Sequence, residues 1–145
     1  MYFKGEKMNS EFSVLLISDE QSPTDTIQAG LKSSGASVVH TCSTSDSFLQ
    51  LLDSQPIDLI VLDLDKPSVD LFEQFTVVQE FCPKPIVCFS NDSDSKVIEK
   101  SVKAGVAAYI VDGKSAERVK PIIDVAIMRF NQCQAVKKEL AQVKD

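Results

Sequence analysis

Histidine and arginine are scarce in this 145-residue chain, and their scarcity argues against two classes of function. The single histidine, His40, follows Val38 and Val39 in an apolar segment, which indicates a packed or strand-end residue rather than a ligand or a catalytic base. Only two arginines accompany a net charge of −6, whereas a protein that binds nucleic acid needs a basic face for the phosphates. We therefore expect neither histidine catalysis nor direct nucleic-acid binding by this chain.

Paired cysteines and long apolar runs are also missing. The four cysteines (Cys42, Cys82, Cys88 and Cys133) are far apart, which argues against a disulfide framework or a cysteine metal site and favours reduced thiols in a cytoplasmic protein. No segment is long enough to span a bilayer, and the N-terminus lacks the apolar core of a signal peptide. With 43% hydrophobic residues, the chain is nevertheless long enough to bury the core of one domain.

Five short apolar runs alternate with segments that have helical patterns. The runs are Ser13 to Ser18, Ser37 to Cys42, Leu59 to Asp63, Pro85 to Ser90 and Ala107 to Val111. The third run shows no period-two alternation, so we expect it to be covered on both faces, as strands of parallel sheets are. Repeated strand–helix units with short right-handed connections predict an α/β sandwich, in which a parallel sheet has helices on both faces.

Capping signals predict where several helices begin and end. Ser22 to Asp25 combines a capping serine, a first-turn proline and an acid three residues on, and Ser43 to Asp46 repeats the spacing of a capping box. Gly35 and Gly105 stand just before strands, as glycines that follow helix ends do. These signals predict a first helix from about Asp25 and a second that starts near Ser43.

The last helix is predicted to be unusually long. From Ser115 to Asp145 the chain has no glycine, and its one proline, Pro121, marks either the true first turn or a kink. About 25 to 30 helical residues are more than a small sandwich can cover, so we expect the second half to project. Beyond Phe130 the apolar residues keep a 3-4-3 spacing: Cys133, Val136, Leu140 and Val143. That spacing favours a dimeric coiled coil, with a frayed helical tail as the alternative.

Carboxylates follow two of the predicted strands. Asp63 ends the apolar run Leu59 to Leu62, and sites in open α/β sheets lie at such carboxyl ends. If the first and third strands are neighbours, Asp19 and Glu20 converge with Asp63 at the same edge. Clustered carboxylates repel each other and are best explained by a hard divalent cation such as Mg²⁺. A carboxylate beside Mg²⁺ can also accept a phosphoryl group.

From about Val14 to Phe130 the sequence resembles a response-regulator receiver domain. The resemblance implies a flavodoxin-like fold with five parallel strands in the order 2-1-3-4-5. It assigns Asp63 as phosphoacceptor, in an acid-x-x-x-Pro motif completed by Pro67, and Asp19 as a metal ligand. The family's metal site is completed by the backbone carbonyl at the position of Asp65.

Two further positions match the switch residues of receivers. Ser90 matches the hydroxyl residue that contacts the phosphoryl group, and Tyr109 matches the aromatic residue that responds to it. In an ordinary receiver these residues rearrange after phosphorylation and change the surface of the fourth helix and the fifth strand.

Other positions depart from the receiver pattern. Ser18 stands where the family has its first acid, so we expect weak Mg²⁺ binding; Glu20 would replace that acid only if the loop is re-registered. Asp112 follows the fifth strand where the family has a phosphate-binding lysine, and a negative charge there opposes a phosphoryl-aspartate. Lys114 is a candidate phosphate contact, with a solvated surface lysine as the alternative. Leu71 replaces a glycine.

The C-terminal third is similar to the receivers of ANTAR-type transcription antitermination regulators, with the nitrate-assimilation regulators as the nearest sub-type. The similarity lies in residues 104–113 and 118–130. It implies an N-terminal extension (1–12), a receiver (13–130) and the start of a coiled-coil linker (131–145) toward an RNA-binding module absent from this chain.

Two functions follow as hypotheses. In the first, a regulatory sensor protein docks on a degenerate receiver and sets its state; in the alternative, a sensor histidine kinase phosphorylates Asp63 with the help of Mg²⁺. In either case we expect a homodimer that forms through the C-terminal helix. We do not expect an enzyme, because no glycine-rich phosphate loop or nucleophile elbow is present.

Overall fold

The computed structural model of the chain describes residues 12–19, 25–44, 48–112 and 115–144. Strands and helices alternate along them. The strands are β1 (Ser13–Ser18), β2 (Val38–Ser43), β3 (Leu59–Asp63), β4 (Ile86–Ser90) and β5 (Ala108–Val111). The helices are α1 (Asp25–Ser33), α2 (Phe48–Ser54), α3 (Val69–Phe81), α4 (Ser95–Lys103) and α5 (Ala116–Lys144).

All five strands lie in one parallel sheet with the order β2-β1-β3-β4-β5. The predicted fold class and strand order are therefore confirmed. In this order β1 and β3 are neighbours, and Ser18 at the end of β1 pairs with Asp63 at the end of β3. Because parallel strands run in the same direction, their carboxyl ends meet at one edge of the sheet.

Both faces of the sheet are buried. Along β1, Val14 and Leu16 pack on the side of α1 and α5, whereas Leu15 and Ile17 pack on the side of α2, α3 and α4. All four side chains are fully buried. Strands that are buried on both faces have nearly continuous apolar sequences, which explains why apolar and polar residues do not alternate along these runs.

The structure confirms the glycines predicted to follow two of the helices. Gly35 and Gly105 have φ of 96° and 85°, so they follow α1 and α4 in the left-handed conformation predicted for them. Ser43 is the last residue of β2 and pairs with Ser18, and the described part of α2 runs from Phe48. The other cap residues, 22–24 and 45–46, lie outside the described residues.

The helix α5 runs for 29 residues, about 43 Å at 1.5 Å per residue. It continues through Pro121, which lies in its second turn. Its N-terminal half packs on the sheet through Val119, Ile123 and Ala126, and every residue from 131 to 140 except Gln134 is exposed. The expected projecting second half is therefore present. None of the described helices, α5 included, is long and apolar enough to cross a membrane.

The packing of α1 on α5 depends on a glycine. A Cβ atom added to Gly30 would lie 2.4 Å from the Cβ atom of Val119, closer than two carbon atoms can approach. Val119 itself is fully buried. The absence of a side chain at Gly30 therefore lets α1 and α5 pack closely together.

The variant Gly30→Ala tests this contact. An alanine within a helix normally stabilises by about 0.5–1 kcal/mol relative to glycine. Here we expect the opposite, a loss of about 1–3 kcal/mol in the free energy of unfolding, because the methyl group overpacks the helix interface. Urea denaturation measures the change. In the background of Val119→Gly, which removes the Cβ atom on the other side of the contact, the same substitution should cost less, and equal costs in both backgrounds would contradict the proposed contact.

Candidate functional site

The sheet brings Asp63 to its carboxyl edge, between the ends of β1 and β4. Its backbone pairs with Ser18 on one side and with Phe89 on the other, and only 3% of its surface is exposed. The residues that follow β3 turn outward, since Asp65 and Lys66 are exposed while Pro67 is buried. Leu71, at the position of the family's glycine, packs into the core.

Asp19 joins the loops that follow β1 and β3. The backbone N–H of Asp65 donates to its Oδ2 atom at 3.2 Å, which supports the predicted convergence of the two loops. Its other oxygen, Oδ1, is buried and has no hydrogen-bond partner among the described residues. Glu20, the second predicted acid of this loop, lies outside the described residues.

The residues at this edge fit a magnesium ion only in part. The unpartnered Oδ1 of Asp19 is the kind of atom that a cation would satisfy. The carbonyl oxygen of Asp65, however, already accepts two hydrogen bonds, and Ser18 supplies a hydroxyl group in place of a carboxylate. No group of three or more histidine, cysteine or acidic side chains suited to a metal occurs within the described ranges. The described residues therefore do not form the complete metal site that the resemblance implies.

A hydrogen-bond network connects the loop after β3 with the loop after β4. The carbonyl oxygen of Asp65 accepts from the Ser90 hydroxyl group and from the backbone N–H of Asn91, both at 3.1 Å. The Asn91 side chain donates a further hydrogen bond, 2.7 Å long, to the Asp65 carboxylate. The hydroxyl group of the predicted switch residue Ser90 is therefore already engaged within the protein.

Tyr109 lies against the same loop. Its hydroxyl group is 2.7 Å from the carbonyl oxygen of Asp92 and 3.2 Å from Ser90 Oγ, and its single proton goes to the nearer acceptor. The backbone N–H of Asp92 in turn donates to Ser90 Oγ at 2.8 Å. The two predicted switch residues are thus in contact. Sequence reasoning missed Asn91 and Asp92, although both directly follow the predicted switch serine.

Asp112 is held beside the switch serine by its backbone. Its N–H donates to the carbonyl oxygen of Ser90 at 3.0 Å, and its φ of 52° is in the left-handed region that aspartate tolerates better than most residues. An exposed acid therefore occupies the position directly after β5. Lys114, the candidate phosphate contact, lies outside the described residues.

Burial changes the acidity of two groups near Asp63. Burial, and secondly the negative charge of Asp63, raises the pKa of the Cys88 thiol to about 12. Burial also raises the pKa of Tyr109, and nearby Cys88, Asp92 and Asp94 act in the same direction, while the hydrogen bond with Ser90 opposes them. Cys88 is therefore a protonated, unreactive thiol at neutral pH.

Comparison with known families identifies one match. The family model described as the response regulator receiver domain matches residues 14–124. This range contains every predicted site residue, from Ser18 to Lys114.

Two curated relatives are regulators of transcription by name. The transcriptional regulatory protein PdtaR of Mycobacterium tuberculosis is 24% identical over 132 residues, which make up 91% of this chain and 64% of that protein. AfsQ1 of Streptomyces coelicolor, also a transcriptional regulatory protein, is 30% identical over 99 residues, or 68% of this chain and 44% of that protein. The chain thus spans less than two thirds of the length of either relative.

Solved structures share the fold. A CheY-like receiver domain protein from Methanospirillum hungatei superposes with a TM-score of 0.70 and is 17% identical in sequence. The match covers 85% of this chain and 98% of the Methanospirillum chain. The chemotaxis response regulator CheY4 of Vibrio cholerae superposes with a TM-score of 0.66 and is 18% identical in sequence. The match covers 81% of this chain and 99% of the CheY4 chain. At these identities the likeness concerns the fold alone.

The raised pKa of Cys88 predicts a loss of stability at high pH. The unfolded thiol ionises near pH 9 and the folded one near 12, so the folded state holds the proton more tightly in that window. The free energy of unfolding should therefore be unaffected by this thiol below pH 9 and fall above it, by about 1.4 kcal/mol per pH unit at most. Denaturation between pH 8 and about 11 measures the slope, and Cys88→Val should reduce it. An unchanged slope in the variant would show that other groups cause the loss.

Proposed function

The chain belongs to the receiver domains of two-component response regulators, and on that premise we propose that a sensor protein sets its state by docking on it. The observation that carries this proposal is Asp112, which holds the position after β5 and is bonded through its backbone to Ser90. Receivers that work by phosphorylation have a cation at this position, which neutralises the phosphoryl group. An aspartate there opposes the added charge instead.

The charges around Asp63 support the same proposal. Asp19 and Asp65 contribute two further carboxylates at this edge of the sheet, joined by the hydrogen bond from the Asp65 amide. A phosphoryl group on Asp63 would add about two more negative charges at neutral pH. Its stabilisation would require hydrogen-bond donors, but the Ser90 hydroxyl and the Asn91 amide both donate to Asp65. Phosphorylation would therefore have to break existing bonds without gaining a cation from position 112.

Phosphorylation of Asp63 is the second candidate, and one observation favours it. Receiver domains are phosphorylated by sensor histidine kinases, and this chain retains the acceptor carboxylate, Asp19 with its unpartnered Oδ1, and Ser90. In this candidate Asp63 would accept the phosphoryl group, Asp19 and the Asp65 carbonyl would hold Mg²⁺, and Ser90 and Tyr109 would rearrange. Mg²⁺ would neutralise charge during the transfer.

Incubation with acetyl phosphate and Mg²⁺, followed by intact mass, distinguishes the two candidates. We expect no adduct of the unmodified chain under conditions that label an ordinary receiver. The double variant Ser18→Asp, Asp112→Lys restores the missing acid and the missing cation, so it should acquire the adduct, and the further change Asp63→Asn should abolish it. A stable adduct on the unmodified chain that Asp63→Asn removes would reject docking as the primary input and support phosphorylation.

For the output, we propose control of transcription antitermination. The support is the resemblance of residues 104–113 and 118–130 to ANTAR-type receivers, together with two relatives named as transcriptional regulatory proteins. The nitrate-assimilation sub-type is part of the same proposal. A reporter of transcription through a leader terminator, in cells that express the full reading frame, tests this output; a response that depends on a promoter alone would contradict it.

We also propose that residues 131–145 begin a coiled-coil linker through which two copies associate. The exposed residues Val136 and Leu140 (55% and 59%) support this proposal. Val125 and Met128, in the half of α5 that packs on the sheet, are also exposed (46% and 62%). Val125 and Val136 are eleven residues apart and so lie within about 20° of each other around the helix. An apolar stripe therefore begins on the domain and continues along the projecting half.

Truncation after Phe130 should convert a dimer into a monomer in sedimentation experiments. In a parallel dimer Cys133 would face its own copy, so mild oxidation with diamide should link two chains through this exposed thiol. The link should be lost in Cys133→Ser and retained in Cys82→Ser, which removes the other exposed thiol. If the full chain sediments as a monomer, the dimer proposal is wrong.

A further inference from the structure

A cavity of about 300 Å³ lies where α5 leaves the body of the domain. We call it the basal cavity. One wall is formed by Val102, Val106 and Ala107, from the end of α4 and the turn before β5, and the other by residues of α5 between Arg129 and Lys137. Since Val106 and Ala107 precede β5, the cavity is at the amino edge of the sheet, opposite Asp63.

The body side of the cavity is rigid because Gln79 joins its turns. The side-chain Nε2 of Gln79 donates to the carbonyl oxygens of Lys84 at 3.0 Å and Gly105 at 3.4 Å, and its Oε1 accepts from the Lys84 amide at 2.8 Å. The turns before β4 and β5 are thereby held together. Gln79 is fully engaged, so recognition of a ligand would depend on the α5 wall.

The charge of the basal cavity is opposite to that of the whole chain. Arg129 and Lys137 line it, and none of its described lining residues is acidic, whereas the chain carries a net charge of −6. Neither cation forms an ion pair within the described part of the chain. By contrast, Lys103 pairs with Glu99 and Lys120 with Asp124. Two unpaired cations thus flank an apolar surface that includes Val106 and Phe130.

We propose that the basal cavity binds a small organic anion, with an apolar body and one carboxylate. Its volume is within the range of about 300–1,000 Å³ of small-molecule sites, which are mostly apolar and have few polar groups. The guanidinium of Arg129 suits a carboxylate, because it offers two parallel hydrogen bonds. Lys137 lies two helical turns further along α5 and would add a second positive charge.

Such a ligand would contact both the body and α5. Its binding energy would therefore favour one direction of the projecting half relative to the sheet. This input would act on α5 and would not involve Asp63. It therefore stands or falls independently of the proposed function.

Titration of the ¹⁵N-labelled full chain with 2-naphthoate, monitored by NMR, tests the proposal. We expect saturable shifts of the amides of Gly105, Val106 and Cys133, and much weaker binding of the neutral 2-naphthamide. Arg129→Ala should weaken the binding about tenfold, as expected for the loss of one charge-assisted hydrogen-bonding group. Arg118→Ala removes the other arginine, exposed on the same helix, and should have no effect.

A second pair of variants distinguishes the effect of a charge that lines the cavity from the effect of the total charge of the chain. Lys137→Ala should weaken binding, whereas Lys138→Ala, at the next and exposed position, should leave it unchanged. The proposal is overturned if no saturable shift occurs at millimolar naphthoate, or if naphthamide binds equally well. It is also overturned if only an acidic peptide produces shifts at the cavity, because the occupant would then be a segment of another protein.

Discussion

The burial of both faces of the parallel sheet is the constraint on which the rest of the structure depends. Because residues 14–17 of β1 and 59–62 of β3 are all apolar and fully buried, both faces of these strands need a cover of helices. This arrangement brings the ends of β1, β3 and β4 to one edge, with Asp63 between Ser18 and Phe89. The carboxylates of Asp63 and Asp19 therefore lie at that edge and not within the apolar interior of the sheet.

At this edge hydrogen bonds of Asp65 join the loop after β3 to its neighbours. Asp65 is the centre of the arrangement: its amide bonds to Asp19, its carbonyl oxygen accepts from Ser90 and Asn91, and its carboxylate accepts from Asn91. These bonds join the loop after β3 to the loops after β1 and β4. The joined loops and the acid at position 112 are the features on which the docking proposal rests.

The two halves of α5 have different surroundings. Its N-terminal half is held tightly, because Gly30 lets α1 approach Val119. Its C-terminal half is largely exposed, with an apolar stripe on one side and the basal cavity at the point where it leaves the domain. A rigid helix of this length transmits a small change in direction as a large displacement at its far end.

Much of the fold could be predicted from the sequence by itself. The apolar runs located all five strands to within one residue at either end, and Asp63 was correctly expected at the carboxyl end of a buried strand. Ser43 ends β2 and pairs with Ser18, and the predicted capping box that it would begin extends into residues 45–46, outside the described residues. The roles of the site residues are still predictions, since they depend on a reaction or a partner.

Tertiary structure alone decided the contacts between segments that are distant in sequence. Neither Asn91 nor Asp92 carries a motif, and both belong to the site only because the sheet sets β4 beside β3 and β5. Likewise the basal cavity combines Val102, Val106 and Arg129 from separate elements. Local patterns in the sequence report the burial and the backbone preference of each segment, whereas hydrogen-bond partners and cavities depend on how the packed segments meet.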